Sequence, residues 1–277
     1  MKILASKIDQ SVNFIEQHLV GFIESRYVRR VDNYFIGYLS SQTGCNRGCT
    51  FCHLTATGQS QFNDVTIAEY MNQARRILEH YEQDVTAKVV HWNLMARGEP
   101  LANKHVLHRG TDLLTQLGNL SLDYDLRPKF NISTIMPVTL KDRLVDVFPL
   151  VTPTIYYSMY SARDAWRKKW LPAAMPVADA IDQLKEYQQI TKKITKIHGA
   201  FIAGENDSKH DVDELIAALE NLHVEFNIVR YNPLTPDQGA ESERLEEILF
   251  RLQQFMPTKI ITRVGADIYA SCGQFLY

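Results

Sequence analysis

The sequence predicts an α/β protein built around a partial or complete barrel of parallel strands, and three observations lead to this fold class. First, β-like and helical stretches alternate along most of the 277 residues. Such repeated units give parallel strands joined by right-handed crossovers and covered by helices. Second, about six such units can be counted, which favours a barrel over a doubly wound sheet. Third, no G-x-G-x-x-G motif follows the first strand, which weakens the case for a dinucleotide-binding fold.

The individual elements follow from composition and periodicity. The first strand, YFIGYLSSQ, is rich in aromatic and β-branched residues. The first helix opens with Thr66 and Glu69, the pattern of a capping box, and its apolar residues recur at helical spacing. The predicted strands span residues 34–42, 88–96, 129–135, 153–160, 196–203, 224–231 and 258–263. The predicted helices span residues 67–82, 104–117, 139–148, 177–190, 211–222 and 242–255.

The segment before the first of these strands is predicted to be a short extension. Residues 1–30 have a helical pattern and are too few to fold alone, so we expect them to pack on the barrel. The predicted organisation is therefore an N-terminal helical extension, 1–30, and a barrel core with a C-terminal tail, 31–277.

Composition and charge limit the protein's class and its partners. With 30 basic and 32 acidic residues the net charge is −2, whereas dedicated nucleic-acid binders are usually strongly basic. Contact with RNA would then depend on local basic patches, at 26–30, 167–169 and 192–196. The alternative is that these runs are ordinary solvated surface. No signal peptide or membrane-spanning stretch is recognised, and four cysteines are too few for a secreted disulfide scaffold. A cytoplasmic protein without membrane contact is expected.

A cluster of three cysteines follows the first strand. Cys45, Cys49 and Cys52 form a C-x3-C-x2-C motif with a glycine inside it and Phe51 between the last two thiols. Soft thiolates favour iron–sulfur or zinc, and both usually take four protein ligands. Three cysteines on one loop indicate an iron–sulfur cluster with one iron open to a substrate or cofactor. The alternatives are a zinc ion completed by His53 or a distant histidine, and three unconnected core cysteines.

The C-x3-C-x-aromatic-C motif after the first strand resembles that of the radical S-adenosylmethionine superfamily. The resemblance implies that Cys45, Cys49 and Cys52 hold a [4Fe–4S] cluster. It also implies that S-adenosylmethionine binds the fourth iron through its amino and carboxylate groups. One-electron transfer would then cleave the sulfonium and release a 5′-deoxyadenosyl radical.

Further motifs resemble the RlmN/Cfr family of RNA adenine methyltransferases, in order from about residue 24 to the end. They include SSQTGC before the cluster, GEPL at 98–101, a Ser-Thr strand end, NDS at 206–208 and a Cys-Gly-Gln element in the tail. The resemblance implies that the cofactor is bound by Gly98, Glu99, Ser133, Ser158, Met159, Tyr160 and Asn232. Taken singly, the glycine–glutamate pair can simply end a strand, the serines can be turn residues or caps, and Asn232 before proline is a common turn.

The positions of these polar residues support one shared site. Six of them fall at or just beyond the carboxyl ends of predicted strands, namely Cys45, Glu99, Ser133, Ser158, Asn206 and Asn232. That end of a β/α barrel is where active sites are built.

The resemblance assigns two catalytic positions, and one of them departs from the family. Cys272 matches the cysteine that first carries the methyl group, although a lone cysteine is more often a buried core residue. The second cysteine, which removes the ring proton and frees the product through a disulfide, would stand at Tyr38. A tyrosine has an unperturbed pKa of about 10, is a poor base at neutral pH and cannot form a disulfide. Tyr160 also replaces the family's histidine, and the larger N-terminal RNA-binding region of the family is reduced to about thirty residues or missing.

Three functions are therefore compared. The first is a radical S-adenosylmethionine enzyme that methylates adenine in ribosomal or transfer RNA as a monomer, with an external electron donor such as flavodoxin. The second is a divergent radical enzyme that uses Cys272 on another nucleotide, RNA or protein. The third is a non-catalytic relative that binds RNA or protein and keeps a structural cluster.

Overall fold

A single sheet organises the molecule. The computed structural model describes residues 1–83, 86–271 and 273–275. Within these residues ten strands pair in chain order: β1 (Lys2–Ala5), β2 (Val12–Gln17), β3 (Phe22–Val31), β4 (Tyr34–Leu39), β5 (Val89–Leu94), β6 (Arg127–Thr134), β7 (Thr154–Ser158), β8 (Thr195–Gly199), β9 (Val224–Ile228) and β10 (Thr258–Ile260). Strands β1 to β4 are antiparallel and β4 to β10 are parallel. The predicted α/β class with a parallel core is confirmed, and strand pairing does not close the sheet in this part of the chain.

Helices connect the parallel strands and bury their apolar faces against the sheet. In the described residues they are α1 (His53–Ala56), α2 (Ile67–Tyr81), α3 (Lys104–Leu122), α4 (Leu144–Val147), α5 (Asp164–Trp170), α6 (Val177–Thr191), α7 (Lys209–Leu219) and α8 (Leu245–Gln253). One apolar cluster joins strand residues such as Trp92 and Ile132 to helix residues such as Ile77 and Leu113. None of the described helices is long and apolar enough to cross a bilayer.

Helix α2 begins as the sequence predicts. The amide of Glu69 donates to the Thr66 hydroxyl (3.3 Å), and the Thr66 amide donates to the Glu69 carboxylate (2.7 Å), which completes the capping box. Tyr70, Ala74 and Ile77 are fully buried on its inner face. The prediction of an amphipathic helix here is confirmed.

The prediction of a helical N-terminal extension is wrong. Residues 2–31 form three antiparallel strands, and β3 pairs with β4 in the same sheet. The physical reason is that the side chains of β3 alternate between two buried faces, with Tyr27 packing on Phe35 and Arg26 on the other side. Both faces of β3 are buried, and one of them carries polar residues. The sequence therefore lacks the alternation of apolar and polar residues that indicates a strand.

The predicted helix over 139–148 is also wrong in extent, because only one turn, α4, forms there. Arg143 is extended, with ψ of 144°, at the start of that turn. The residue before this predicted helix is hydrogen-bonded to the segment that precedes α6. The Val138 amide donates to the Ala173 carbonyl (2.9 Å). These contacts with a distant segment replace the helical hydrogen bonds.

A glycine on β4 allows close packing against the next strand. A Cβ at Gly37 would lie 2.7 Å from Cε3 of Trp92 and 3.3 Å from Cδ1 of Ile77. We expect Gly37→Ala to lower the free energy of unfolding by about 1–3 kcal/mol, because overpacking displaces fully buried groups. Gly118→Ala, within helix α3, is the control. Its Cβ would lie 3.6 Å from the ring of Phe130 on β6, which is an ordinary van der Waals contact. Urea unfolding should show no loss for this control, and equal stability of the two variants would contradict the prediction.

Candidate functional site

The cysteine loop leaves the carboxyl end of β4 and is held in place before the first thiol. The amides of Ser41 and Gln42 both donate to the Arg97 carbonyl (2.7 and 3.2 Å), which ties the loop to the end of β5. The Cys45 amide donates to the Gln59 carbonyl (3.0 Å), closing the loop on itself. Backbone hydrogen bonds therefore hold both the residues before the first cysteine and the chain that follows the third one.

The three cysteines line one cavity of about 150 Å³, which we call the cluster cavity. Its lining also includes Glu99, Ser133, Ser158 and Tyr160 among the predicted site residues. In the described residues no set of three or more His, Cys, Asp or Glu side chains is arranged as a ready-made metal site. The donor set nevertheless suits an iron–sulfur cluster, because three soft sulfur ligands from one loop share a cavity with space beside them.

The electrostatics of the cavity oppose free thiolates. Burial raises the pKa of Cys45, and burial together with the neighbouring Cys52 and Cys45 thiols raises the pKa of Cys49 well above its ordinary value. A bound cation reverses this, since metal ligation stabilises the thiolate form. The cavity therefore suits a positively charged centre.

Glu99 is the buried carboxylate of the cluster cavity. Its Oε1 accepts the Leu101 amide and its Oε2 accepts the Ile135 amide, each at 3.0 Å. Burial raises the pKa of Glu99, and these hydrogen bonds partly offset the effect. Each oxygen retains a lone pair, so the carboxylate can still accept a hydrogen bond from a cationic group in the cavity. Gly98, which precedes it, has φ of +86° and packs on Gln42, so a side chain there would be strained and would clash.

Two serines and an aromatic stack also line the cluster cavity. The Ser133 and Ser158 hydroxyls, at the ends of β6 and β7, are 3.4 Å apart. Phe51 of the cysteine motif stacks on Tyr160, with ring centroids 4.6 Å apart. Tyr160 is itself in the left-handed region, with φ of +59°. The cavity thus offers both hydroxyl groups and a flat aromatic surface.

Other residues named from the sequence have structural contacts. The Met159 side chain is fully buried in the main core and does not line the cluster cavity. Asn206 donates to the carbonyls of Tyr160 (2.8 Å) and Ala200 (2.9 Å), which fixes the turn that carries Tyr160. Arg167, expected in an RNA-contacting patch, is 2% exposed and donates to the Ile135 carbonyl (3.3 Å). That part of the patch prediction is wrong, because α5 packs this guanidinium under the site.

A second cavity, of about 130 Å³, adjoins the first. Met95, Ser133, Gly273 and Phe275 line both cavities, so the tail lies at their boundary. The rest of its lining includes Tyr38 and Asn232 from the sequence prediction, together with the arginines at 26, 30, 230 and 263. The site therefore combines a cysteine-lined compartment with an arginine-rich one.

His198 also lines the second cavity and was missed by the sequence analysis. Burial lowers its pKa to about 3, so its imidazole is neutral at neutral pH. It stands opposite Ser158 in the pairing of β7 and β8. The signal in the sequence was a histidine near the start of the predicted strand 196–203, but only the strand register places it beside the site.

Of the two predicted catalytic residues, one can be placed. Tyr38 pairs with Arg26 across β3 and β4 and faces the second cavity. Cys272 lies outside the described residues, although its neighbours Ser271 and Gly273 line that same cavity.

Comparisons with known proteins find RNA methyltransferases of similar sequence. No family model matches the chain. The dual-specificity RNA methyltransferase RlmN of Oleidesulfovibrio alaskensis is 28% identical over 248 residues, and RlmN of Ruthia magnifica is 28% identical over 246 residues. Each match covers 85% of this chain and 66% of the relative, so the chain spans less than two thirds of their length.

Solved structures match the fold as well. A radical SAM methyltransferase from Sphaerobacter thermophilus superposes with a TM-score of 0.85 at 21% identity, covering 99% of this chain and 80% of that one. The chain is therefore similar in sequence to RlmN RNA methyltransferases and shares the fold of a radical SAM methyltransferase. Streptococcus suis SuiB bound to S-adenosylmethionine superposes with a TM-score of 0.58 at 14% identity, over 85% of this chain and 52% of that one. This chain thus shares its fold with a protein of different length whose own structure holds S-adenosylmethionine.

Proposed function

We propose that this protein is a radical S-adenosylmethionine enzyme that methylates an adenine of RNA. The observation that carries the proposal is the cluster cavity, where the three thiols of one loop face Glu99 and two serines. The names of the RlmN relatives, which are RNA methyltransferases, support the reaction class.

Each side chain of the cluster cavity has a role in this proposal. Cys45, Cys49 and Cys52 hold a [4Fe–4S] cluster, which supplies one-electron reduction of the bound sulfonium. The buried Glu99 carboxylate accepts the cofactor's ammonium group while the Leu101 and Ile135 amides hold it in place. Gly98 lets the backbone approach closely.

The remaining residues bind or orient the cofactor and the substrate. Ser133 and Ser158 offer hydroxyl groups to the ribose, and the ring of Tyr160 stacks against a flat group. Asn232 and Met159 act from further away: the Asn232 side-chain carbonyl oxygen accepts from the Arg263 guanidinium (2.7 Å) beside the second cavity, and Met159, which follows Ser158 in the chain, is buried in the main core.

Cys272 and Tyr38 belong to the methyl-transfer step. By its match to the family's tail motif, Cys272 carries the methyl group that is passed to the base. Tyr38 occupies the position of the family's second cysteine. The arginine-rich second cavity would receive the RNA, either ribosomal or transfer RNA, with its phosphates near cationic groups. We further propose that the enzyme acts as a cytoplasmic monomer and takes electrons from a flavodoxin-like donor.

Anaerobic reconstitution tests this function. We expect a brown protein with about four iron and four sulfide per chain, which releases 5′-deoxyadenosine when a reductant and S-adenosylmethionine are added. Cys49→Ala should lose both the colour and the cleavage, because it removes a cluster ligand. The matched control Cys272→Ala should keep both the colour and the cleavage but lose RNA methylation. Methylation is measured by mass spectrometry of digested nucleosides.

The same experiment separates the alternatives. A colourless protein with one tightly bound zinc ion would refute the cluster assignment. A cluster without cofactor cleavage would point to a binding protein. Cleavage with neither a methylated base nor a covalent RNA–protein species would point to another substrate.

A further inference from the structure

One guanidinium group holds the C-terminal segment on both sides of its cysteine. Nη1 of Arg26 donates to the Ala270 carbonyl (2.9 Å), and Nη2 donates to the Gln274 carbonyl (2.7 Å). These two carbonyls belong to residues two before and two after position 272 in the chain. A single side chain of strand β3 thus contacts both Ala270 and Gln274.

A buried carboxylate orients this guanidinium. Glu24, fully buried on the same face of β3, accepts from Nη2 of Arg26 (3.0 Å) and from Nε and Nη2 of Arg97 (3.0 and 2.8 Å). Burial by itself would raise the pKa of Glu24, but the two guanidinium groups outweigh it and hold the pKa below its ordinary value. The carboxylate is therefore charged and fixes the direction of both arginines.

The same two arginines hold the aromatic ring near the end of the segment. The guanidinium carbons of Arg26 and Arg97 lie 4.9 and 5.4 Å from the ring centroid of Phe275, within cation–π distance. The segment is also tied to the cysteine loop, because the His53 amide donates to the Gly273 carbonyl (3.1 Å) and the Phe275 amide donates to Nδ1 of His53 (3.4 Å).

This arrangement is unusual for a group that only supports the sheet. Ion pairs buried in a sheet usually contribute little net stability compared with apolar residues of the same size. Here both terminal nitrogens of Arg26 reach backbone carbonyls 244 and 248 residues away. The segment they hold lines both the cluster cavity and the second cavity.

We infer that Arg26 is a positioning residue: with Glu24, Arg97 and Phe275 it forms a clamp that fixes the described tail residues, 270, 271 and 273–275, at the boundary between the two cavities. The consequence for methyl transfer rests on the proposed function, since the clamped segment carries the proposed methyl-accepting thiol. The clamp itself requires no cluster, cofactor or RNA, so it can be tested in the full-length protein without them.

Hydrogen–deuterium exchange followed by mass spectrometry tests the clamp on Arg26→Met and Arg26→Lys. Loss of two charge-assisted hydrogen bonds should speed exchange in peptides covering 266–275 by roughly tenfold or more in Arg26→Met. Arg26→Lys should be intermediate, because one ammonium cannot reproduce the two-armed contact. Alkylation of Cys272 by iodoacetamide should likewise be fastest in Arg26→Met and intermediate in Arg26→Lys. Arg143→Met is the matched control. It removes an exposed ion pair with Asp146 at the start of α4 and should behave as the wild type.

Phe275→Ala keeps the test decisive if Arg26→Met unfolds. This change near the chain end leaves the buried ion pairs in place, and the clamp requires it to speed exchange in 266–275 by several-fold with β2 and β3 unchanged. Unchanged exchange in the segment for Phe275→Ala, or an equal rise across β2, β3 and the segment for a folded Arg26→Met, would overturn the proposal. A wild type that yields neither methylated RNA nor a covalent RNA–protein species, with normal clamp behaviour, would instead refute the proposed function alone.

Discussion

Replacement of Glu99 by glutamine is expected to weaken S-adenosylmethionine binding by roughly ten- to a hundredfold. A hydrogen bond to a charged group is worth about 1.5–3 kcal/mol, and about 1.4 kcal/mol is a factor of ten. The variant loses the negative charge offered to the cofactor's ammonium group. The amide also cannot accept both backbone donors, Leu101 and Ile135, so one of them meets an NH2 group.

Equilibrium dialysis under anaerobic conditions, with the reconstituted cluster, measures this effect. Glu247→Gln is the matched control, because that carboxylate is exposed and pairs only with Arg244 among the described residues. Its cofactor affinity should equal that of the wild type. Urea unfolding should show that Glu99→Gln remains folded, with a loss of about 1–3 kcal/mol from the unpaired amide. Wild-type affinity in folded Glu99→Gln would remove Glu99 from the binding site.

Local signals in the sequence were sufficient for the cysteine loop and for most parallel strands. The motif from Cys45 to Cys52 needs only neighbouring residues, and the ends of parallel strands meet at one edge, so Glu99, Ser133 and Ser158 were expected together. The structure places all of them around one cavity. Helix α2 was equally accessible, since its cap and its apolar period are both local.

What the sequence could not reveal depends on long-range pairing. Two charged residues of β3, Glu24 and Arg26, lie on one face of the strand, and only its pairing with β4 and its contacts with the tail explain why they are buried. Arg167 is similar: a basic run suggests a surface, but its guanidinium is buried against backbone carbonyls under the site. His198 needed the register of β7 and β8. In each case the partner is distant in the chain, where periodicity carries no information.

The largest change in activity is expected from Tyr38→Cys. In the family that this chain resembles, a cysteine at this position frees the product by forming a disulfide with the methyl-carrying cysteine. Tyr38 lines the second cavity together with Ser271 and Gly273, which flank Cys272 in the chain, so a thiol at position 38 would face the same compartment. We expect the wild type to stop after about one RNA per chain as a covalent RNA–protein species, because tyrosine cannot form that disulfide.

The variant should convert this single event into repeated turnover. The thiolate introduced at position 38 attacks the sulfur of Cys272, an S–S bond forms as the S–C bond to the RNA adduct breaks, and the electron pair and a proton go to the released methyl carbon. External dithiol then reduces the disulfide. We expect at least about a tenfold fall in crosslinked RNA on denaturing gels and a matching rise in free methylated adenosine.

Tyr38→Ser is the control that isolates the thiol from the loss of the ring. It makes similar space in the second cavity but cannot form a disulfide, so its crosslink should persist as in the wild type. Equal release by the serine and cysteine variants would mean that the tyrosine ring only obstructs the site. Multiple turnovers without a crosslink in the wild type would mean that this chain frees its product by a route that needs no second cysteine. Because all three proteins keep the residues of the cluster cavity, their release of 5′-deoxyadenosine in the first turnover should be equal, and a difference between them in RNA product then reports on position 38 itself.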